Sequence, residues 1–322
     1  MQKTFKGGIM TKLAFICAIG QESFIEPIAQ EFEKLENYQV HRYYTNQQAD
    51  IIAGVKWADI VWLEWCNEIS IYASHLYEIQ KKGVILRLHS YESLSELPKA
   101  VKWDAIDYLV FVAPHIKEIV KRKIPDIEDL VCTKIVPNGL DIDRIKPNKV
   151  LNMYDIAYVC NINYKKEPVL ALQIMSELMK FNTGFKLHVA GAWQDERYKI
   201  YMEHMAKEMG IEDNIIYYGF VQDMDTFWEN KGIILSTSIH EGHPYNIMEG
   251  AARGLQPVVH NFMGARELYP VSWLFNTVEE AVECVTANHP RTQIRREYII
   301  EEGWTLENQM NQFKELVEKV GA

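Results

Sequence analysis

The chain holds 322 residues, of which 48% are hydrophobic, 24% charged and 11% aromatic. That excludes disordered, fibrous and low-complexity classes and suits two globular domains at roughly 150 residues each. Lys plus Arg number 34 against 44 Asp plus Glu, a formal net charge of −10 that excludes a grip on nucleic acid through bulk charge. In chain order, residues 1–10 carry Lys3 and Lys6 with neither a long apolar core nor a small-residue cleavage site after them. They read as a tail rather than a signal peptide, with Met10 as an alternative start. Short β-branched and aromatic runs then alternate with amphipathic stretches, the pattern of parallel α/β layers. First-half strands are predicted at 12–19, 39–45, 58–65, 84–89, 107–113 and 132–137, with a helix at 23–37 whose Phe24, Ile28, Phe32 and Leu35 fall on one stripe.

Pro137, Asn138-Gly139, Pro147 and Asn148 then break any regular element. Beyond them the alternation restarts, with strands predicted at 154–160, 185–190, 214–218, 232–237, 257–261 and near 273, and helices at 168–181, 195–209 and 277–287. The organisation expected is a Rossmann-like domain over 1–145, a second over 146–303, and a closing helix over 304–322 that packs back on the first. Two parallel sheets facing each other place a crevice at the carboxyl ends of their strands, where nucleotides and phosphates bind. Cys17, Cys66, Cys132, Cys160 and Cys284 are odd in number and never in C-x-x-C spacing, so no disulfide framework is expected and a reducing cytoplasm fits. No apolar run approaches the roughly 20 residues that span a bilayer.

The chemistry concentrates in TSIHEGHPYNIMEGAARGLQPVVHNFMGARELYP, residues 237–270. Pro244 suits a first helical position and Gly254 the residue past a helix end. Small Gly250, Ala251 and Ala252 let that helix lie close to a sheet. Its first N–H groups, near Tyr245, Asn246 and Ile247, make a phosphate seat. Glu241 lies in the loop before the helix and Glu249 within it, so the two carboxylates can reach a reacting group and a neighbouring hydroxyl-rich moiety.

The pattern E-G-x-P-x-x-x-x-E, followed by small residues, a Pro-Val-Val strand and G-A-R-E, resembles the E-x7-E signature of retaining family 4 (group 1) glycosyltransferases. VPNGLDIDRIKP (136–147), VAGAW (189–193), YYGFV (217–221) and LRLHSYE (86–92) are similar to further segments of that family. The resemblance implies a GT-B α/β fold, two Rossmann-like domains whose parallel sheets face an interdomain cleft. It also implies a nucleoside diphosphate sugar as donor substrate, no required cofactor or metal, and a glycan or lipid-linked acceptor. Carried onto matching positions, it assigns Glu241 to the transferred sugar, where a carboxylate stabilises an oxocarbenium-like transition state. It assigns Glu249 to the donor ribose, Lys166 to the diphosphate, Phe220 and Val221 to the border of the base, and His89 to a hydrogen bond with the donor sugar. Gly242, His243, Tyr245 and Asn246 would offer backbone donors, and Gly20 would let its loop approach the phosphates.

The chain departs from the family pattern at Asn161, where an Arg is usual, with Lys165 as a substitute cation, and at His243, where an aromatic is usual. The lost Arg, with a first loop that reads A-I-G-Q rather than a Gly-Gly pair, leaves open a GT-B protein that binds a nucleotide sugar or glycan without catalysis; a second alternative is an enzyme of the same shape doing another job, a nucleotide-sugar epimerase. Asp141-x-Asp143, Asp223-x-Asp225 and the group His240, Glu241, His243 are the metal-like patterns, but none has helical zinc spacing. KEIVKRK (117–123) reads as a solvated helix face with a packed underside; a second reading rests 115–124 on an anionic inner leaflet as a peripheral membrane contact.

Overall fold

The computed structural model describes residues 10–287 and 293–321, so the predicted tail lies, up to residue 9, outside the described residues. The chain divides into two compact units, one built from residues up to 138 with those from 307 onward, the other from residues 139–306. Each is a six-stranded, wholly parallel sheet carrying helices, the α/β class that the alternating pattern predicts.

In the first unit the strands are β1 Thr11–Cys17, β2 Tyr38–Tyr44, β3 Ile60–Glu64, β4 Gly83–Leu88, β5 Tyr108–Phe111 and β6 Cys132–Ile135, in the order β2-β1-β3-β4-β5-β6. All five residues of β3 are buried, as expected of a parallel strand covered on both faces. The helix expected over 23–37 is instead a 3-10 turn, Glu22–Phe24, and a helix, Glu26–Glu33. Pro27 lacks an N–H and is tolerated only in a first turn, so the helix proper starts beside it. The helix Leu306–Val320 gives this unit Phe313, whose ring meets Trp62 edge-on at 4.7 Å. The basic run lies on the helix Pro114–Lys123, which buries Ile116, Ile119 and Val120. Lys117 and Lys121 pair with Glu128, and Lys123 donates to the carbonyls of Leu94 and Ser95 at 2.7 Å.

The second unit holds β7 Leu151–Val159, β8 Lys186–Ala190, β9 Ile215–Gly219, β10 Asn230–Ser236, β11 Gln256–His260 and β12 Leu274–Phe275. Their order, β12-β11-β10-β7-β8-β9, is the doubly wound arrangement, three strands to one side of β7 and two to the other. Strand β7 starts three residues before the predicted 154 because Leu151 pairs with Asn230. Strand order reverses between β7 and β10, which run parallel, so the loops leaving these two strands part and open a crevice at their carboxyl ends. Among the described residues no helix is long and apolar enough to cross a membrane.

Gly191, just past β8, closes this edge. Its φ is +141°, its N–H donates to the Gly219 carbonyl at 2.7 Å, and a Cβ there would stand 1.8 Å from the Cys160 carbonyl oxygen. Gly210, with φ +67°, has nothing within 4 Å of its own Cβ position. Gly191→Ala is therefore expected to destabilise the chain by roughly 3 kcal/mol or more through backbone collision, and Gly210→Ala by about 1 kcal/mol through conformational strain alone. Denaturant titration of both variants checks this; equal losses would show that close approach is not what Gly191 provides.

Candidate active site

The crevice of the second unit is built by two loops, 160–167 after β7 and 237–244 after β10. Asn163 folds the first loop by accepting the Lys165 N–H at 3.0 Å, which sets the 3-10 turn Tyr164–Lys166. Glu167 then takes a left-handed φ of 46°, and Pro168 begins the helix Pro168–Phe181. Tyr158 and Thr237 both donate hydroxyls to the Lys166 carbonyl at 2.7 Å, and the Ile239 N–H donates to the Lys165 carbonyl at 2.9 Å. The two loops are thus laced together beneath the lysine side chains.

Above that lacing Lys166 forms an ion pair with Glu241 Oε1, and Lys165 Nζ lies 3.4 Å from Glu241 Oε2. Glu241 is 6% exposed. Burial alone would raise its pKa, but the charges of Lys166 and Lys165, with a hydrogen bond from Ser238, overcome it and hold the carboxylate down at about 2. Burial lowers the Lys165 pKa, while at Lys166 the same penalty is outweighed by Glu241 and the pKa rises. Two cations against one anion leave the cluster one positive charge in excess, a setting for a phosphate-bearing ligand.

The helix Tyr245–Ala252 follows, with Pro244 as its N-cap rather than its first residue and no side-chain cap. Asn246 donates to the Val159 carbonyl at 2.8 Å, pinning the helix start to the end of β7, and Tyr245 reaches the Gly139 carbonyl at 3.3 Å. A Cβ on Gly250 would stand 2.7 Å from Ile234 Cγ2, so glycine lets the helix rest on β10. His243 is buried edge-on against Trp304, centroids 4.4 Å apart, and Gly242 is buried beside it. One turn along the helix, Glu249 opens into a pocket of about 310 Å³ that Gln222, Asp223, Met224 and Trp228 also line. Arg253, four residues on, turns to Asp225, and among the described residues nothing hydrogen-bonds the Glu249 carboxylate. Burial raises its pKa to about 7.

Of the remaining predicted positions, Phe220 is 80% exposed and Val221 partly so, both just before that pocket's wall. Asn161 is exposed and no part of the lysine–glutamate cluster, in which Lys165 supplies the second cation. Among the described residues no three His, Cys, Asp or Glu side chains converge as a metal-holding group.

Gly20 and His89 belong to the first unit. Gly20 has φ +83° with nothing within 4 Å of a Cβ, so the turn after β1 needs it for conformation rather than space. Gln21 beside it accepts at its carbonyl from Trp65 Nε1 (2.9 Å) and at its side chain from Asn67 (3.0 Å). His89 is buried, stacked on Trp65 at 3.9 Å, with Nε2 2.6 Å from Glu64 Oε1. Sequence reasoning missed Glu64, Arg87 and Glu92. For Glu64 and Arg87 the signal was present as charges inside apolar runs, VWLE and VILRL, at positions that prove to be neighbours in register. It missed Tyr158 and Thr237 as well, since nothing local marks a hydroxyl that serves a distant carbonyl.

Residues 141–269, rather less than half of the chain, match the model of the family described as Glycosyl transferases group 1. The whole fold is similar to solved GT-B glycosyltransferases. Against Anabaena HepE in complex with UDP-glucose the TM-score is 0.75 at 14% identity, covering 96% of this chain and 100% of that one. Against the lipopolysaccharide outer core galactosyltransferase WaaB the values are 0.72 and 17%, covering 96% and 99%. Against a glycosyltransferase from Rickettsia africae they are 0.71 and 14%, covering 97% and 98%.

The Glu249 environment predicts a pH signature. The folded state keeps a proton up to about pH 7 that an unfolded carboxyl, with its ordinary value of 4.5, has already lost. Stability from this group is therefore present below pH 4.5 and lost as pH rises through 7. Glu249→Gln is expected to be more stable than the parent by about 1–3 kcal/mol at pH 8 and equal to it near pH 4 by denaturant titration. A variant less stable at pH 8 would mean that the carboxylate is held by a structural partner.

Proposed function

We propose that this chain is a retaining glycosyltransferase that moves a sugar from a nucleoside diphosphate to a hydroxyl of a glycan or lipid-linked acceptor. The observation that carries the reading is the pair of differently tuned carboxylates of the E-x7-E stretch at a topological switch point. Glu241 is ionised and salt-bridged to two lysines, whereas Glu249 is unbonded and faces a pocket.

In this reading the donor diphosphate takes Lys166 and Lys165 from Glu241, together with N–H groups between Gly242 and Asn246. The released Glu241 then faces the sugar and stabilises positive charge at its anomeric carbon. Glu249 accepts hydrogen bonds from the ribose hydroxyls, Phe220 and Val221 border the base, and His89 bonds a sugar hydroxyl. The bond between the anomeric carbon and the diphosphate oxygen breaks, the bond to the acceptor oxygen forms on the same face, and the acceptor proton leaves on the diphosphate. Lysines neutralise the leaving group in this scheme. The rival reading, binding without turnover, draws on Asn161; the seat of Lys165 against Glu241 supports transfer by restoring a second cation. For the basic helix, the internal pairing of Lys117, Lys121 and Lys123 supports the solvated reading over a membrane contact.

A thermal-shift panel of UDP, GDP and ADP with their sugar conjugates tests the assignment. A nucleotide present at 100 times its dissociation constant adds roughly 2.7 kcal/mol to the folded state. A selective shift lost in Glu249→Ala and weakened in Lys166→Ala is expected, while Glu241→Gln keeps the shift and lowers kcat roughly 10²–10³-fold. No shift with any nucleotide, or undiminished turnover in Glu241→Gln, would sink the reading.

A further inference from the structure

In the first unit Glu64 closes β3 and Arg87 lies beside it in register on β4, and both side chains are fully buried. Glu64 gathers three donors. Its Oε1 accepts from Arg87 Nη1 at 3.2 Å and faces His89 Nε2 at 2.6 Å, and its Oε2 accepts from Trp62 Nε1 at 2.9 Å. Burial opposes ionisation of Glu64, but the Arg87 charge and these hydrogen bonds prevail and its pKa falls below the ordinary value. An ionised carboxylate only accepts, so the histidine nitrogen facing it must carry the hydrogen. Burial lowers the His89 pKa to about 4, so the ring is neutral at pH 7 and its second nitrogen is bare.

The rest of the site fixes the ring without touching that nitrogen. Trp65 stacks on one side, with centroids 3.9 Å apart, and Phe24 approaches edge-on at 4.7 Å. Glu92 holds the backbone, accepting the N–H groups of His89 and Cys66 at 3.2 Å. Among the described residues no protein group hydrogen-bonds His89 Nδ1. The cluster lies at the carboxyl ends of β3 and β4, the edge at which parallel sheets bind ligands.

We infer that Glu64 is a positioning residue that holds His89 as the Nε2–H tautomer, so that Nδ1 accepts a hydrogen bond from a hydroxyl of the sugar. The choice of a sugar as ligand rests on the proposed glycosyltransferase function; the tautomer does not. The device selects for a donor group. A ligand presenting a carboxylate or an O-methyl group there sets lone pair against lone pair and is refused.

The test is nitrogen-15 imidazole NMR of the full chain at pH 7, with the His89 signals assigned by their absence in His89→Gln. The expected spectrum has Nε2 protonated and Nδ1 bare. Glu64→Gln, whose amide must turn a donor towards one of its three donor partners, is expected to mix the two tautomers. It should lower kcat roughly 10–100-fold while the nucleotide thermal shift is unchanged. Glu64→Asp, which keeps the charge opposite Arg87, serves the same purpose if the glutamine variant does not fold. A protonated Nδ1 in the parent chain overturns the inference, as does an unchanged single tautomer in a folded Glu64 variant. A correct tautomer with no turnover on any sugar nucleotide would count against the glycosyltransferase reading and leave the role of Glu64 standing.

Discussion

A charge taken out of water at the end of a parallel strand must find its opposite, because an isolated buried ion costs several kcal/mol that packing cannot return. Both units are organised around that constraint. In the second, Glu241 is ionised inside the crevice only because Lys166 and Lys165 are delivered to it by a loop whose carbonyls are clamped by Tyr158, Thr237 and the Ile239 N–H. In the first, Arg87 and Glu64 neutralise one another on adjacent strands. Remove the clamp on Lys166 and the geometry that permits a charged Glu241 goes with it, so hydroxyls that touch no ligand govern the electrostatics of the site.

The same physics separates the two glutamates of one motif. Both are desolvated, and burial pushes both upward; the difference lies in company. Two lysines pull Glu241 down to about 2, whereas Glu249 has lost Arg253 to Asp225 and is left near 7. A carboxylate that is always ionised suits the stabilisation of a developing cation. One that holds its proton near neutrality suits hydrogen bonding with neutral hydroxyls, and its desolvation is a stability penalty, as expected of the binding position proposed for it.

The alternation of apolar runs and amphipathic stretches located all twelve strands of the described residues, because strands buried on both faces are written as continuous β-branched and aromatic runs such as GIILS in β10. The position of Glu241 and Glu249, on loop and helix, was legible from Pro244, the small residues 250–252 and Gly254. The part that was not legible is contact between segments far apart in sequence. Nothing near Thr237 announces a bond to the carbonyl of Lys166, 71 residues earlier, and nothing near Arg253 says that it prefers Asp225 to Glu249. Asn161 shows the converse: read as a lost cation by its place in a motif, it is an exposed loop residue outside the pairing of Lys165 and Lys166 with Glu241.

The two strand-end clusters also differ in sign, and the difference follows from composition at a few positions. Lys165 and Lys166 outnumber Glu241, so the second unit offers an anion a net positive seat within a chain whose overall charge is −10. In the first unit Arg87 is matched by Glu64, His89 is neutral, and the buried Glu92, raised to about 7, holds its proton about half the time at neutral pH. Among the described residues that cluster has no surplus cation with which to hold a phosphate. It presents instead aromatic faces, amide groups and a single imidazole lone pair, which is the vocabulary of hydroxyl recognition. Buried ion pairs such as Glu64–Arg87 are in general weak contributors to stability, since apolar residues of similar volume often serve as well. The ion pair is therefore better understood as the means by which the sheet orients one histidine ring than as a contribution to the stability of its core.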